Sequence, residues 1–111
     1  MTVTVKVLIP AKTAENAATT QYTASGVSAI IDKFTATNYD TVGRTLTVHL
    51  VQSGGAVADA TLAVKAKTLQ AGETYTFPEI VGHILAPGGF LSTTASAASA
   101  VTIRASGREV S

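Results

Sequence analysis

The sequence predicts an all-β domain, a sandwich or barrel of seven or eight short strands with one short helix. Short segments of alternating apolar and polar residues recur along the chain. Glycine-containing turns separate these segments at regular intervals, a spacing typical of sandwiches and barrels. The 111 residues contain no linker-like stretch, so we expect a single domain over residues 1–111.

The first strand is predicted over Thr2–Ile9. Its valines alternate with Thr2, Thr4 and Lys6, which places the two sets on opposite faces. Pro10 is expected to end this strand. Residues 11–24 are small and polar, which suits a loop or an extended arm, so residues 1–24 are interpreted as an N-terminal strand or arm.

Six further strands are predicted from alternation and from β-branched residues: Val27–Thr37, Thr45–Val51, Ala60–Lys67, Glu73–Phe77, Phe90–Ala95 and Ala100–Ala105. Turn residues separate several of them, at 38–43, 53–55 and 70–72. The last five residues, Gly107–Ser111, are predicted to be a tail.

One segment has helical rather than alternating spacing. Its apolar residues are Ile80, Val81, Ile84 and Leu85. Thr76 and Glu79 have the spacing of a capping box, and Pro78 lies in the first turn. Pro87-Gly88-Gly89 is a stop signal. We therefore expect a helix of about two turns, whose apolar face closes one end of the sheets.

Composition argues against several function classes. Eight Lys and Arg against seven Asp and Glu give a net charge of +1, and no basic stripe with interleaved aromatics is present, so we expect no nucleic-acid partner. The absence of cysteine excludes disulfides and cysteine nucleophiles. The N-terminus does not have the pattern of a secretion signal, and no apolar run is long enough to span a membrane, so we expect synthesis in the cytoplasm and no membrane partner.

No constellation of residues indicates catalysis. Ser28 follows Gly26-Val27, but Ile30 stands where a nucleophile elbow has its second glycine. The carboxylates are scattered. Glu79 and His83 share a face of the predicted helix, yet a zinc site needs a further ligand, and His49 is expected on the surface of its strand. We predict no enzyme activity, no catalytic, cofactor or metal site, and no small-molecule substrate.

The N-terminal strand is the candidate partner-binding element. A Thr- and Val-rich strand can add to the exposed sheet edge of another chain through its backbone. The alternative is an ordinary edge strand of this domain. The candidate partner-binding residues are Thr2, Val3, Thr4, Val5, Lys6 and Val7.

The block from Leu69 to Gly107 carries a family resemblance. An Ala-Gly-Glu turn at 71–73 leads into the short predicted helix, and a Pro-Gly turn at 87–88 follows. A closing Val-Thr-Ile-Arg-Ala-Ser-Gly strand ends at Gly107, and the upstream Thr45–Val51 strand with Gln-Ser-Gly-Gly also fits. In this order the pieces resemble small virion proteins of tailed bacteriophages, in particular capsid cement or decoration proteins.

The resemblance implies an all-β, jelly-roll-like β-sandwich on the outer surface of the capsid in the virion, made in the host cytoplasm. It also implies a homo-oligomer, a dimer or a trimer, that braces neighbouring subunits of the major capsid protein. A tail or head–tail virion component remains an alternative. A carbohydrate-binding module is another, with Tyr22, Tyr39 and Tyr75 as its candidate aromatics.

Overall fold

The computed structural model describes all 111 residues and is a sandwich of two antiparallel sheets. The predicted all-β class is confirmed. The strands number nine: β1 (Val3–Thr13), β2 (Thr19–Thr23), β3 (Ser28–Asn38), β4 (Arg44–Val51), β5 (Leu62–Leu69), β6 (Thr74–Thr76), β7 (Ile84–Leu85), β8 (Phe90–Ala95) and β9 (Val101–Val110). The single helical element is a 3-10 turn, Asp59–Thr61, before β5.

The strands are paired as a nested set. One sheet has the order β1-β9-β3-β6, with β7 also pairing with β3, and the other has the order β2-β8-β4-β5. The innermost pair is β4 with β5, followed outwards by β3 with β6, β2 with β8 and β1 with β9. The chain therefore folds like one long hairpin that has been rolled so that alternate pairs fall in opposite sheets.

The core lies between the two sheets. The rings of Phe34 and Phe77 pack edge to face with their centroids 5.2 Å apart, and both side chains are fully buried. Branched residues from both sheets surround them, among them Ile31, Leu46 and Ile103. Each large side chain removed from water contributes about 1.5–3 kcal/mol, so these few residues supply most of the transfer free energy.

The helix predicted near Ile80 is wrong. Residues 78–82 form a turn, and β7 begins after His83. Gly82 has φ +89°, a left-handed conformation that ends a right-handed helical turn. Its N–H donates to the Ile31 carbonyl oxygen at 2.7 Å. The free edge of β3 thus satisfies the backbone that a helix would have satisfied internally.

The N-terminal segment also differs from expectation. Pro10 does not end β1, because the pairing with β9 shifts between Ile9 and Lys12 and a proline is tolerated at such a bulge. The expected loop or arm over residues 11–24 contains β2, which pairs with β8 and buries Tyr22. Residues 1–24 are therefore largely built into the two sheets.

The tail predicted over Gly107–Ser111 is wrong as well, because β9 continues to Val110 between β1 and β3. Gly107 makes this possible. A Cβ atom at Gly107 would lie 2.0 Å from the Ile30 carbonyl oxygen. A glycine inside a strand marks such a close backbone approach.

Candidate interaction surface

The outer edge of β1 presents unpaired backbone groups to solvent. Thr2 and Ser111 exchange both of their N–H···O=C bonds, at 3.0 and 2.9 Å. Residue pairs in an antiparallel ladder alternate between hydrogen-bonded and non-hydrogen-bonded. With the register unbroken from Val3 to Val7, the N–H and C=O groups of Val3, Val5 and Val7 point away from β9.

The side chains of the same three valines form an exposed apolar surface on the outer face of the five-stranded sheet. Val3 is 52%, Val5 83% and Val7 60% exposed. Directly paired residues share a face, and one row across the sheet runs from Val5 over the Arg108 stem to Ile30 and Ile84. We call the following set the valine face: Val3, Val5, Val7, Ile30, Ile84 and Val110.

Cationic side chains lie beside the valine face. Four ion pairs form in the structure, and neither Lys33 nor Arg104 takes part in one. Both line a shallow depression of about 490 Å³ that borders Val7. Arg108, by contrast, is paired with Asp32 at 2.9 Å. The outer face therefore combines an apolar strip with two uncompensated positive charges.

The opposite side of the same strand segment is held by polar contacts. Lys6 forms an ion pair with Glu109 at 3.3 Å, and the Tyr22 hydroxyl of the other sheet donates a hydrogen bond to the Glu109 carboxylate. The hydrogen bond from Tyr22, followed by that from Lys6, lowers the pKa of Glu109. Burial, together with the neighbouring carboxylate, raises the pKa of Tyr22. Through Glu109, these contacts join β2 of one sheet to β9 and β1 of the other.

The residues considered for metal binding or catalysis are not brought together. Glu79 accepts a hydrogen bond from the Tyr75 hydroxyl at 3.2 Å. Without the predicted helix, Glu79 and His83 do not share a helical face. His49 is buried, contrary to its expected surface position, and its Nδ1 lies 3.4 Å from Oγ1 of Thr61 in the 3-10 turn. No group of three or more His, Cys, Asp or Glu residues could hold a metal ion.

The three tyrosines do not form a common platform. Tyr22 is buried and bound to Glu109, whereas Tyr39 is half exposed in the turn after β3. Tyr75 packs edge to face on Phe77, with the Lys67 ammonium 4.4 Å from its ring centroid. Stacking of a sugar on two or three of these rings at once would need them on one surface, and they are dispersed.

Sequence reasoning found the valines but missed the rest of the valine face. Alternation shows that Val3, Val5 and Val7 share a face, but it does not tell whether that face is inside or outside. Ile84 was assigned to a helix, and Val110 to a tail. Ile84 joins the surface only by pairing with Ile30 of β3, and the half-buried Val110 only because β9 extends to pair with β1 and β3.

Comparison with known proteins gave no match to a family model, to a curated protein or to a solved structure. The structure contains no helix that is both long enough and apolar enough to span a membrane.

Proposed function

We propose that this protein is a non-enzymatic cement or decoration protein of a tailed-bacteriophage capsid, which binds the outside of the shell and braces neighbouring subunits of the major capsid protein. The observation that carries the proposal is the valine face, a row of exposed apolar side chains across the outer face of the five-stranded sheet. Large exposed apolar patches on small proteins mark interaction sites. The virion assignment rests on the resemblance of Leu69–Gly107 to phage cement proteins.

The strand order supports the same proposal. If β7 is treated as an addition to the β3 edge, the remaining eight strands form four nested antiparallel pairs divided between two sheets. We infer from this order that the sandwich is a jelly roll, a fold that recurs in viral capsid proteins and lectins. The fold alone does not determine function, so the proposed function depends on the exposed surface.

The chemistry of the surface indicates what its partner offers. Val5, with 83% of its surface exposed, would be covered by apolar side chains of the partner. Lys33 and Arg104 border the strip and form no ion pair within the chain, so carboxylates on the partner would complement them. Many modest contacts of this kind, repeated over a shell, would give firm attachment without a reactive cleft.

The test is binding to expanded heads that lack this protein, measured by co-sedimentation and by counting copies bound per head. We expect saturable binding of about several hundred copies, because a closed shell repeats its sites by symmetry. Phage tails and a glycan array, assayed with the same sample, test the two alternative functions.

A triple substitution, Val3→Thr with Val5→Thr and Val7→Thr, tests the valine face directly. Threonine is also β-branched and keeps the strand, but its hydroxyl weakens apolar contact, so affinity for heads should fall by at least about tenfold, or 1.4 kcal/mol. Val42→Thr with Val57→Thr is the matched control, because these valines are also exposed but lie elsewhere. Absence of head binding by the unmodified protein, or unchanged binding by the triple variant, would contradict the proposal.

A further inference from the structure

We propose that two copies of this chain associate through the outer edges of β1, as a symmetric antiparallel pair centred on Val5 that joins the two five-stranded sheets into one. The inference concerns the edge of the strand, whereas the proposed function concerns its face. It follows from the backbone geometry and does not require the partner to be a capsid.

The Val3–Val7 segment of β1 is free to pair with another strand, whereas the other sheet edges are protected from pairing. On the far side of β3, β6 has three residues and β7 two. In the second sheet, β2 has five residues and a register shift. At the remaining edge, β5 carries Lys65 and Lys67 and two register shifts. Short strands, bulges and lysines are the devices that block edge-to-edge association.

Within β1 itself the unprotected part is well defined. Register shifts follow Val7 and Ile9, and Pro10 lies between Ile9 and Lys12. From Val3 to Val7 the ladder is regular, and its outward N–H and C=O groups belong to the three valines. A partner strand can therefore pair with Val3–Val7 and not with the residues that follow. The same segment of a second copy has the length that such pairing requires.

The segment is complementary to itself in antiparallel orientation. With Val5 opposite the Val5 of a second copy, Val3 falls opposite Val7, and every outward N–H faces an outward C=O. The same register sets Lys6 opposite Thr4 rather than opposite the second Lys6. Each Lys6 also keeps its own ion pair with Glu109, so no like charges are forced together.

The dimer would place both valine faces on the same side, because paired residues in one sheet point to the same face. The two-fold axis then runs perpendicular to the joined sheet. One dimer presents two apolar strips in one direction. If the proposed function holds, such a dimer can contact two neighbouring sites at once.

The first measurement is the mass of the protein in solution over a concentration series, by sedimentation equilibrium. The expected mass rises from 11.3 kDa for one chain to twice that value. Val5→Pro should abolish the rise, because proline removes an N–H that faces solvent in the single chain and costs no bond to β9. Val5→Thr, the matched control, retains the N–H and should retain the dimer.

Disulfide trapping provides a second measurement that does not depend on the proline variant folding. The chain has no cysteine. Residues opposite each other in a hydrogen-bonded antiparallel pair have Cα atoms about 5.5 Å apart, which a disulfide can span. Val5→Cys should therefore form covalent dimers rapidly on mild oxidation. Val57→Cys, in an exposed loop, should do so much more slowly.

A protein that stays monomeric up to about millimolar concentration, a trimer, or a dimer that survives Val5→Pro would each overturn the proposal. Equal trapping rates for the two cysteine variants would do so as well. Head binding of the unmodified protein is scored separately. A monomeric protein that binds heads rejects only this inference, and a dimeric protein that does not bind heads rejects only the proposed function.

Discussion

Two outer strands of the sandwich, β1 and β5, meet solvent in different ways. On β5, Lys65 and Lys67 flank Ala66, whose φ of +49° forces an irregular backbone. On β1, the segment from Val3 to Val7 is regular, apolar on its outer face and interrupted by one lysine. Both strands lie at the edge of an antiparallel sheet, but only β5 has the lysines and the irregular backbone that hinder pairing with another strand along its length.

The difference shows that protection of a sheet edge against pairing is a property of each segment of the strand. The second half of β1, with its bulges and Pro10, is as well protected as β5. An edge is therefore not simply open or closed as a whole. Where a chain leaves a short regular segment unprotected and also places its exposed valines there, both the backbone and the side chains point to a contact with another molecule.

The largest effect on stability is expected from a substitution at Gly107, on the strand that pairs with the unprotected Val3–Val7 segment of β1. We call this segment the open edge. In Gly107→Val the new Cβ would lie 2.0 Å from the Ile30 carbonyl oxygen and 2.9 Å from Leu8 Cδ1. Because β3 and β9 must separate to admit it, we expect a loss of at least about 3 kcal/mol in the free energy of unfolding, measured in urea.

The control for this substitution is Ser106→Ala, at the adjacent exposed position of β9. It should change the free energy of unfolding by less than about 0.5 kcal/mol. Equal stability of Gly107→Val and the unmodified protein would mean that β9 does not pack between β1 and β3 as described, and the open edge of β1 would then lose its support.

At the protected edge the prediction has the opposite sign. Ala66 occupies a left-handed conformation that costs an L-residue about 1–2 kcal/mol and a glycine almost nothing, which outweighs the greater backbone entropy that a glycine loses on folding. Ala66→Gly should therefore stabilise the fold by about 0.5–1 kcal/mol. Ala63→Gly, in the same strand but without a positive φ, should destabilise it by a similar amount. If both variants lose stability, the strain at Ala66 is absent.

Most strands could be predicted from the sequence because alternation is a local signal. The strand predicted over Thr45–Val51 corresponds to β4, which begins one residue earlier, and the strand predicted over Phe90–Ala95 has the same bounds as β8. The errors arose where the deciding interaction comes from elsewhere in the chain. Helical spacing from Ile80 to Leu85 was overridden by the free edge of β3, which supplied partners to Gly82 and β7.

The candidate surface was predictable only in part, for a related reason. The valines of β1 could be assigned to one side, but exposure depends on which sheet lies behind them. His49 likewise contacts Thr61 of the 3-10 turn. The alternation of residues along β4 does not predict that contact. One clue was available in the sequence: the alternation of small or apolar with polar residues that starts at Val101 continues through Gly107 and Arg108. A glycine inside a strand is typical of a close backbone approach.

A smaller effect is expected from the contact that links the protected edge to the first sheet. The Lys67 ammonium lies 4.4 Å from the Tyr75 ring centroid. A partly exposed cation–π contact contributes about 0.5–1 kcal/mol, so Lys67→Ala should lower the free energy of unfolding by about that amount. Lys65→Ala, which removes an exposed lysine with no such contact, is the control. Similar losses in both variants would show that the ring contact contributes nothing specific.

The smallest effect concerns the polar side of the open segment, where Lys6 is half exposed and water screens its charge. The pKa of Glu109 is lowered below 4.5, first by the Tyr22 hydroxyl and then by Lys6. A carboxyl with a lowered pKa in the folded state stabilises the fold above pH 4.5, and this contribution is lost as the pH falls through the folded pKa. Glu109→Gln should therefore flatten the acid limb of a thermal-unfolding profile.

The ranking of the two partners sharpens this test. Tyr22→Phe removes the leading cause of the lowered pKa, so it should flatten the acid limb more than Lys6→Gln does. Because Tyr22 comes from the second sheet, a dominant Tyr22 effect would show that this contact between the sheets, rather than the ion pair within one sheet, is the main interaction of Glu109 at the end of β9. A larger effect of Lys6→Gln would instead show that the ion pair with Lys6 is the main interaction of Glu109. A partner strand on the Val3–Val7 segment would then have to pair without disturbing that ion pair.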